Sequence, residues 1–208
     1  MSVTARAFAG AVALAVLAGV ASSVARAQIK QEFNWCIAAN DPTPDQKVSG
    51  CTAVIQAGKL KGKRLAFAYI NRGAAYYEKG QYDRAIEDAG QAIKLNPKYA
   101  DAFFNRGFSF QGKSQYDHAI MDYDQAIKFD PKFADAFFNR GNTYHDKGEY
   151  DRAILDYNQA IKLNPNHARA FYNRSLAKKQ KRDEGGAEGP IWLRRGRSIR
   201  TSGARHQD

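Results

Sequence analysis

Bulky apolar and small residues recur at helical spacing from residue 66 to residue 167, and the same order of positions returns every 34 residues. The units are Ala66–Tyr99, Ala100–Phe133 and Ala134–His167. The triplet Asn-Arg-Gly marks each one, at Asn71, Asn105 and Asn139, and Asn173-Arg174-Ser175 begins a fourth copy. Each unit predicts two helices. In the second unit these run roughly over residues 102–112 and 116–129. Asp83, Asp117 and Asp151 fall where the second helix begins, as N-caps or first-turn acids. Pro97, Pro131 and Pro165 close the units, because proline cannot continue a helix and excludes helical geometry from the residue before it.

Small residues form columns at Gly73, Gly107 and Gly141, at Ala85, Ala119 and Ala153, and at Ala92, Ala126 and Ala160. They mark where paired helices approach closely. Larger residues form complementary columns at Tyr69, Phe103, Phe137 and Phe171, at Tyr76, Phe110 and Tyr144, at Tyr82, Tyr116 and Tyr150, and at Ile86, Ile120 and Ile154. A single helix pair cannot bury such a face alone, so neighbouring pairs must stack. The expected fold is all-α, a right-handed α-solenoid of stacked antiparallel helix pairs. These columns and their spacing resemble the tetratricopeptide repeat, in full over residues 66–167 and as one further helix over residues 168–182. Ser114 stands where Gly80 and Gly148 stand in the other units, with Gly112 two residues earlier, so the second turn is expected to differ slightly.

The flanks are not periodic. Residues 1–27 read as a signal peptide. Arg6 gives a charged start, Ala7–Ala21 is an apolar run of 15 residues, and Ala25-Arg26-Ala27 has the form of a cleavage site. The run falls short of the ~20 residues that span a bilayer. The expectation is export, to the periplasm first and secretion second, with no stable membrane insertion after cleavage. Residues 28–65 predict a helical hairpin, broken at Asn40–Pro44. It carries the chain's two cysteines, Cys36 and Cys51. An even cysteine count in an exported chain favours a disulfide stapling this end of the stack, with two buried thiols as the alternative. Residues 168–182 read as a partial repeat whose polar outer face caps the other end. Residues 183–208, rich in Gly, Arg and Ser, read as a basic disordered tail.

The net charge of +11 suggests nucleic acid until it is mapped. The signal segment contributes +2 and residues 176–208 contribute +5, leaving +4 for everything between. The repeats mix both signs as a solvated surface does, so no nucleic-acid partner is expected. Catalytic signatures are likewise missing from the sequence. His118, His145, His167 and His206 lack metal-ligand spacing, and neither a phosphate loop nor a nucleophile elbow occurs. The reading is a non-enzyme with no cofactor.

The resemblance implies a concave groove lined by the first helices of successive units, holding a peptide segment of a partner. Asn71, Asn105, Asn139 and Asn173 would form a ladder there, since a carboxamide can pair with a peptide group through both donor and acceptor. The competing reading has these amides tie neighbouring helices together. Beside them run Ile70, Phe104, Phe138 and Tyr172, then Ala74, Phe108, Asn142 and Leu176, as groove floor or as core. Phe103-Phe104 and Phe137-Phe138 cannot each face one way, so one of each pair is expected in the core. Some family members grip a chain-terminal carboxylate through lysines and an arginine. Here the matching places hold Ile70, Phe104, Phe138, Asp101 and Asp135, which argues against that use. Arg72, Arg106 and Arg140 are expected to pair with Asp88, Asp122 and Asp156. The function expected is an exported protein-interaction module. The alternatives are a self-associating envelope scaffold, which would be a homo-oligomer, and an accessory binding subunit of a larger enzyme or secretion system.

Overall fold

A computed structural model describes residues 30–37 and 41–187. The predicted signal segment and the predicted tail beyond residue 187 lie outside them. The described residues are helical, with no strand among them, and fall into two compact units that meet between Phe129 and Asp130. The first contains α1 (residues 30–36), α2 (Pro44–Gln56), α3 (Gly62–Glu78), α4 (Tyr82–Leu95), α5 (Ala100–Gly112) and α6 (Tyr116–Phe129). The second contains α7 (Ala134–Asp146), α8 (Tyr150–Leu163) and α9 (Ala168–Ala187). Within each unit every helix from α2 onward packs on the next, and the first helices of adjacent pairs also touch, α3 on α5 and α7 on α9. The fold class is all-α, with stacked helix pairs of the α-solenoid type.

Local chemistry sets the helix ends. Thr43 caps α2 with a reciprocal box. Its hydroxyl accepts from the Gln46 amide at 3.3 Å, and the Gln46 carboxamide accepts from the Thr43 amide at 2.9 Å. Asp83, Asp117 and Asp151 are first-turn acids, with Gln81 and Glu149 in the cap positions of α4 and α8. After α4 and α8 the residue before the proline is extended, as a following proline requires. The last helix runs to Ala187, past the predicted end at residue 182. No proline interrupts residues 183–187, so the helix continues through Gly185 and Gly186 although glycine is a poor helix former.

The turn at Ser114 corrects the expectation of a different geometry. Ser114 takes φ +56°, beside +69° at Gly80 and +76° at Gly148. All three turns close with the same two bonds. The amide of the left-handed residue donates to the carbonyl three residues back, and the next amide reaches Tyr76, Phe110 or Tyr144. The serine therefore accepts a strained backbone so that the repeat keeps its shape. Gly112 serves a separate purpose, since a Cβ there would lie 2.8 Å from Tyr82 Cε1. Replacing Ser114→Gly is expected to raise stability by about 0.5–1 kcal/mol, the αL penalty less the entropy glycine loses on folding. Urea melts of the two proteins check it.

The predicted small columns are buried throughout, Ala85, Ala119 and Ala153 as well as Ala92, Ala126 and Ala160. The glycine column allows the closest approach. A Cβ on Gly141 would lie 2.9 Å from Tyr157 Cε1, and one on Gly107 would lie 3.1 Å from both Ala119 O and Tyr123 Cε1. The large columns are mostly half-buried. The largest fully buried side chains are Tyr123 and Tyr157, in a column that begins with Ala89. Their hydroxyls donate to Gln111 Oε1 and Asn142 Oδ1, both at 2.9 Å. Burial raises both phenols well above their ordinary value, so they are neutral donors. The column Ala66, Ala102, Ala136 and Ala170 is also fully buried.

Among the described residues α1 and α2 are joined by a disulfide between Cys36 and Cys51, with Cα atoms 4.4 Å apart. Gly50 lets α1 lie against α2, because a Cβ there would come within 2.8 Å of Trp35 Cβ.

Candidate functional site

The Arg–Asp pairs are the most regular polar feature. Arg72, Arg106 and Arg140, on first helices, each chelate an aspartate 16 residues later on the second helix of the same pair. Nε and Nη2 reach the two carboxylate oxygens at 2.7–2.8 Å in all three. The aspartates are buried. Burial lifts the Asp88 carboxyl above its usual range against the pull of Arg72, and the same bonds hold the Arg72 and Arg106 guanidinium groups above theirs. Bidentate pairing of this kind fixes one helix against the next and commits the guanidinium to an internal partner. Arg174, on the last described helix, donates instead to Asn158 Oδ1 at 2.7 Å.

The asparagine ladder divides by environment. Asn71 Nδ2 donates to Cys36 O at 2.8 Å, tying α3 to the hairpin. Asn173 Nδ2 donates to Asn142 Oδ1 at 2.8 Å, tying α9 to α7, and that oxygen also accepts from Tyr157. Asn105 and Asn139 donate only to carbonyls one turn back on their own helices, Asp101 O and Asp135 O, both at 2.8 Å. Their carboxamides therefore remain available on the helix surface.

The aromatic column divides too. Ile70 and Phe138 are core residues, 7% and 4% exposed, and pack in separate apolar clusters. Phe104 is half-buried, and Tyr172 is 69% exposed. The core member of each adjacent pair differs, Phe103 in α5 and Phe138 in α7. In α7 the aromatic ring of His167 draws the second phenylalanine inward, at 4.5 Å between ring centres.

Within the first unit, α3 and α5 enclose a groove of about 230 Å³. Tyr77 and Phe108 stack along it with ring centres 4.3 Å apart, and Phe104 lies parallel to Phe108 at 6.1 Å. Ile70, Gly73, Ala74, Glu78, Asn105 and Ser109 also line it, with Ala85 and Ala89 from α4. Lysine and arginine do not line this groove, so it is built for apolar side chains and a hydrogen-bonding amide. Among the described residues no group of three or more His, Cys, Asp or Glu could hold a metal ion. None of the described helices is long and apolar enough to cross a membrane.

Family models carry the geometry to a name. The tetratricopeptide repeat model matches residues 134–167, and a second model for the same repeat matches residues 73–114 and 112–148. The search of curated proteins found no match. Solved structures of the same architecture include MamA, at 25% identity and TM-score 0.59, covering 66% of this chain and 78% of that one. The Arabidopsis OM64 TPR domain matches at 26% identity and TM-score 0.54, over 56% and 97% of the two chains. The second TPR domain of human RPAP3, solved in complex with the HSP70 peptide SGPTIEEVD, matches at 28% and 0.52, over 54% and 94%. With repeat length, turn geometry, helix pairing and sequence models in agreement, residues 73–167 of this chain are tetratricopeptide repeats.

Proposed function

We propose that this protein is an exported interaction module that holds a peptide segment of a partner in the groove between α3 and α5. Tetratricopeptide repeats serve protein–protein interaction, and structures similar to this one have been solved with bound peptides. The observation that carries the reading is the pairing of an aromatic wall, Tyr77 and Phe108, with the carboxamide of Asn105, which is tied only to its own helix. Stacked rings offer rigid apolar area, and the amide can register a peptide backbone. The absence of lysine and arginine from the lining favours an internal, apolar segment over a carboxylate terminus. Export is supported by the leader-like residues 1–27 and by the Cys36–Cys51 bond, which suits an oxidising compartment.

Peptides selected from a displayed random library against the purified protein supply the probe. Asn105→Ala is expected to weaken the best selected peptide about ten-fold, the scale of a lost buried hydrogen bond, with an unchanged helical spectrum. Unchanged affinity in Asn105→Ala would remove the groove assignment.

A further inference from the structure

A second cavity lies at the amino-terminal end of the first unit, and its chemistry differs from the groove's. It measures about 420 Å³, inside the range of small-molecule pockets (about 300–1,000 Å³). Phe33 and Ile37 stand on one wall and Phe67 on the other, and these three are 44%, 41% and 45% exposed. Val54 and Leu60 form the floor. A further cavity of about 380 Å³ opens on the other side of Phe33 over the same floor, so the two make one apolar trough. Among the described residues Lys63 and Arg64 line the larger cavity with no acidic side chain, whereas Lys30, Lys59 and Glu32 line the smaller one.

We propose that this trough binds a long-chain carboxylate, with the alkyl chain along Phe33 and Phe67 and the head group at Lys63 and Arg64. The charge argues for an anionic head. The lining of the larger cavity argues against a peptide, which would bring an N–H and a C=O with every residue against walls that are mainly apolar. An alkyl chain has no such groups to satisfy. Phe33, Ile37 and Cys36 are carried by α1 and the residue after it, a segment held by the Cys36–Cys51 bond and by Asn71 on Cys36 O. The trough therefore depends on the oxidised state. It does not depend on the α3–α5 groove.

The test is calorimetric titration of the purified protein with decanoate, and with decanol as the uncharged chain of equal length. Decanoate is expected to saturate a single site, at least ten-fold more tightly than decanol. Reversing both charges in Lys63→Glu/Arg64→Glu should weaken decanoate at least ten-fold and leave decanol unchanged. Phe67→Glu, or reduction of the disulfide, should weaken both. All three substituted side chains are exposed, so the helical spectrum should not change. Asn105→Ala should bind decanoate normally, which separates this site from the peptide groove. The absence of saturable decanoate binding, or binding that survives both the charge reversal and Phe67→Glu, would overturn the proposal.

Discussion

Asp122→Ala is expected to cost about 3 kcal/mol, a large loss for a single polar side chain. Asp122 is buried between α5 and α6 and accepts both Arg106 bonds at 2.7 Å. Truncation leaves a partly desolvated guanidinium without its counter-charge, and that penalty exceeds the net value of the pair. For a chain of this size the melting temperature should fall by roughly 10 °C. Replacing both partners, Arg106→Met with Asp122→Leu, should recover most of the loss, because an apolar pair of similar volume carries no orphaned charge. The exposed pair Lys113–Asp83 provides the contrast, and Asp83→Ala should stay within about 1 kcal/mol of the parent. Urea unfolding of the four proteins checks the series. Equal losses in Asp122→Ala and Asp83→Ala would mean that the buried pair is not a structural clamp.

Removing the disulfide, as Cys36→Ser/Cys51→Ser, is the second large effect. Closing a loop of this length is worth about 3 kcal/mol by the chain-entropy model. The loss should be local. The helix α1 spans only residues 30–36, too short to persist without tertiary support. Hydrogen exchange should show α1 and the start of α2 losing protection while α5 and α6 keep theirs. Protection of α1 equal to the parent's would show that Asn71 and the Gly50 contact suffice to hold it.

Much of this molecule is legible because its chemistry repeats. The Arg–Asp pairs could be anticipated because the same two residues recur at the same offset in three rows, and the hydrogen bonds follow that offset. The cysteine hairpin was readable for the opposite reason, as the only place holding cysteine. The core was less legible. Tyr123 and Tyr157 are its largest members, but their column opens with Ala89, and tyrosine gives no burial signal until a partner for its hydroxyl is known. The asparagines show a further limit. Four identical letters meet different neighbours: a hairpin carbonyl for Asn71, another carboxamide for Asn173, and their own helix for Asn105 and Asn139. Periodicity says where a side chain stands, and what stands opposite depends on how near it is to an end.

The last helix gives that end a consequence for growth. Along α9, Ser175 replaces the glycine that allows close approach in Gly73, Gly107 and Gly141, and Lys178 replaces the ring of Tyr76, Phe110 and Tyr144. A second helix laid on α9 would meet a hydroxyl and an ammonium where its predecessors met a bare backbone and an aromatic face. A helix packed there is therefore expected to hold less tightly than α4, α6 and α8 hold to their partners. Duplication of an internal 34-residue segment would lengthen the stack with every such contact copied.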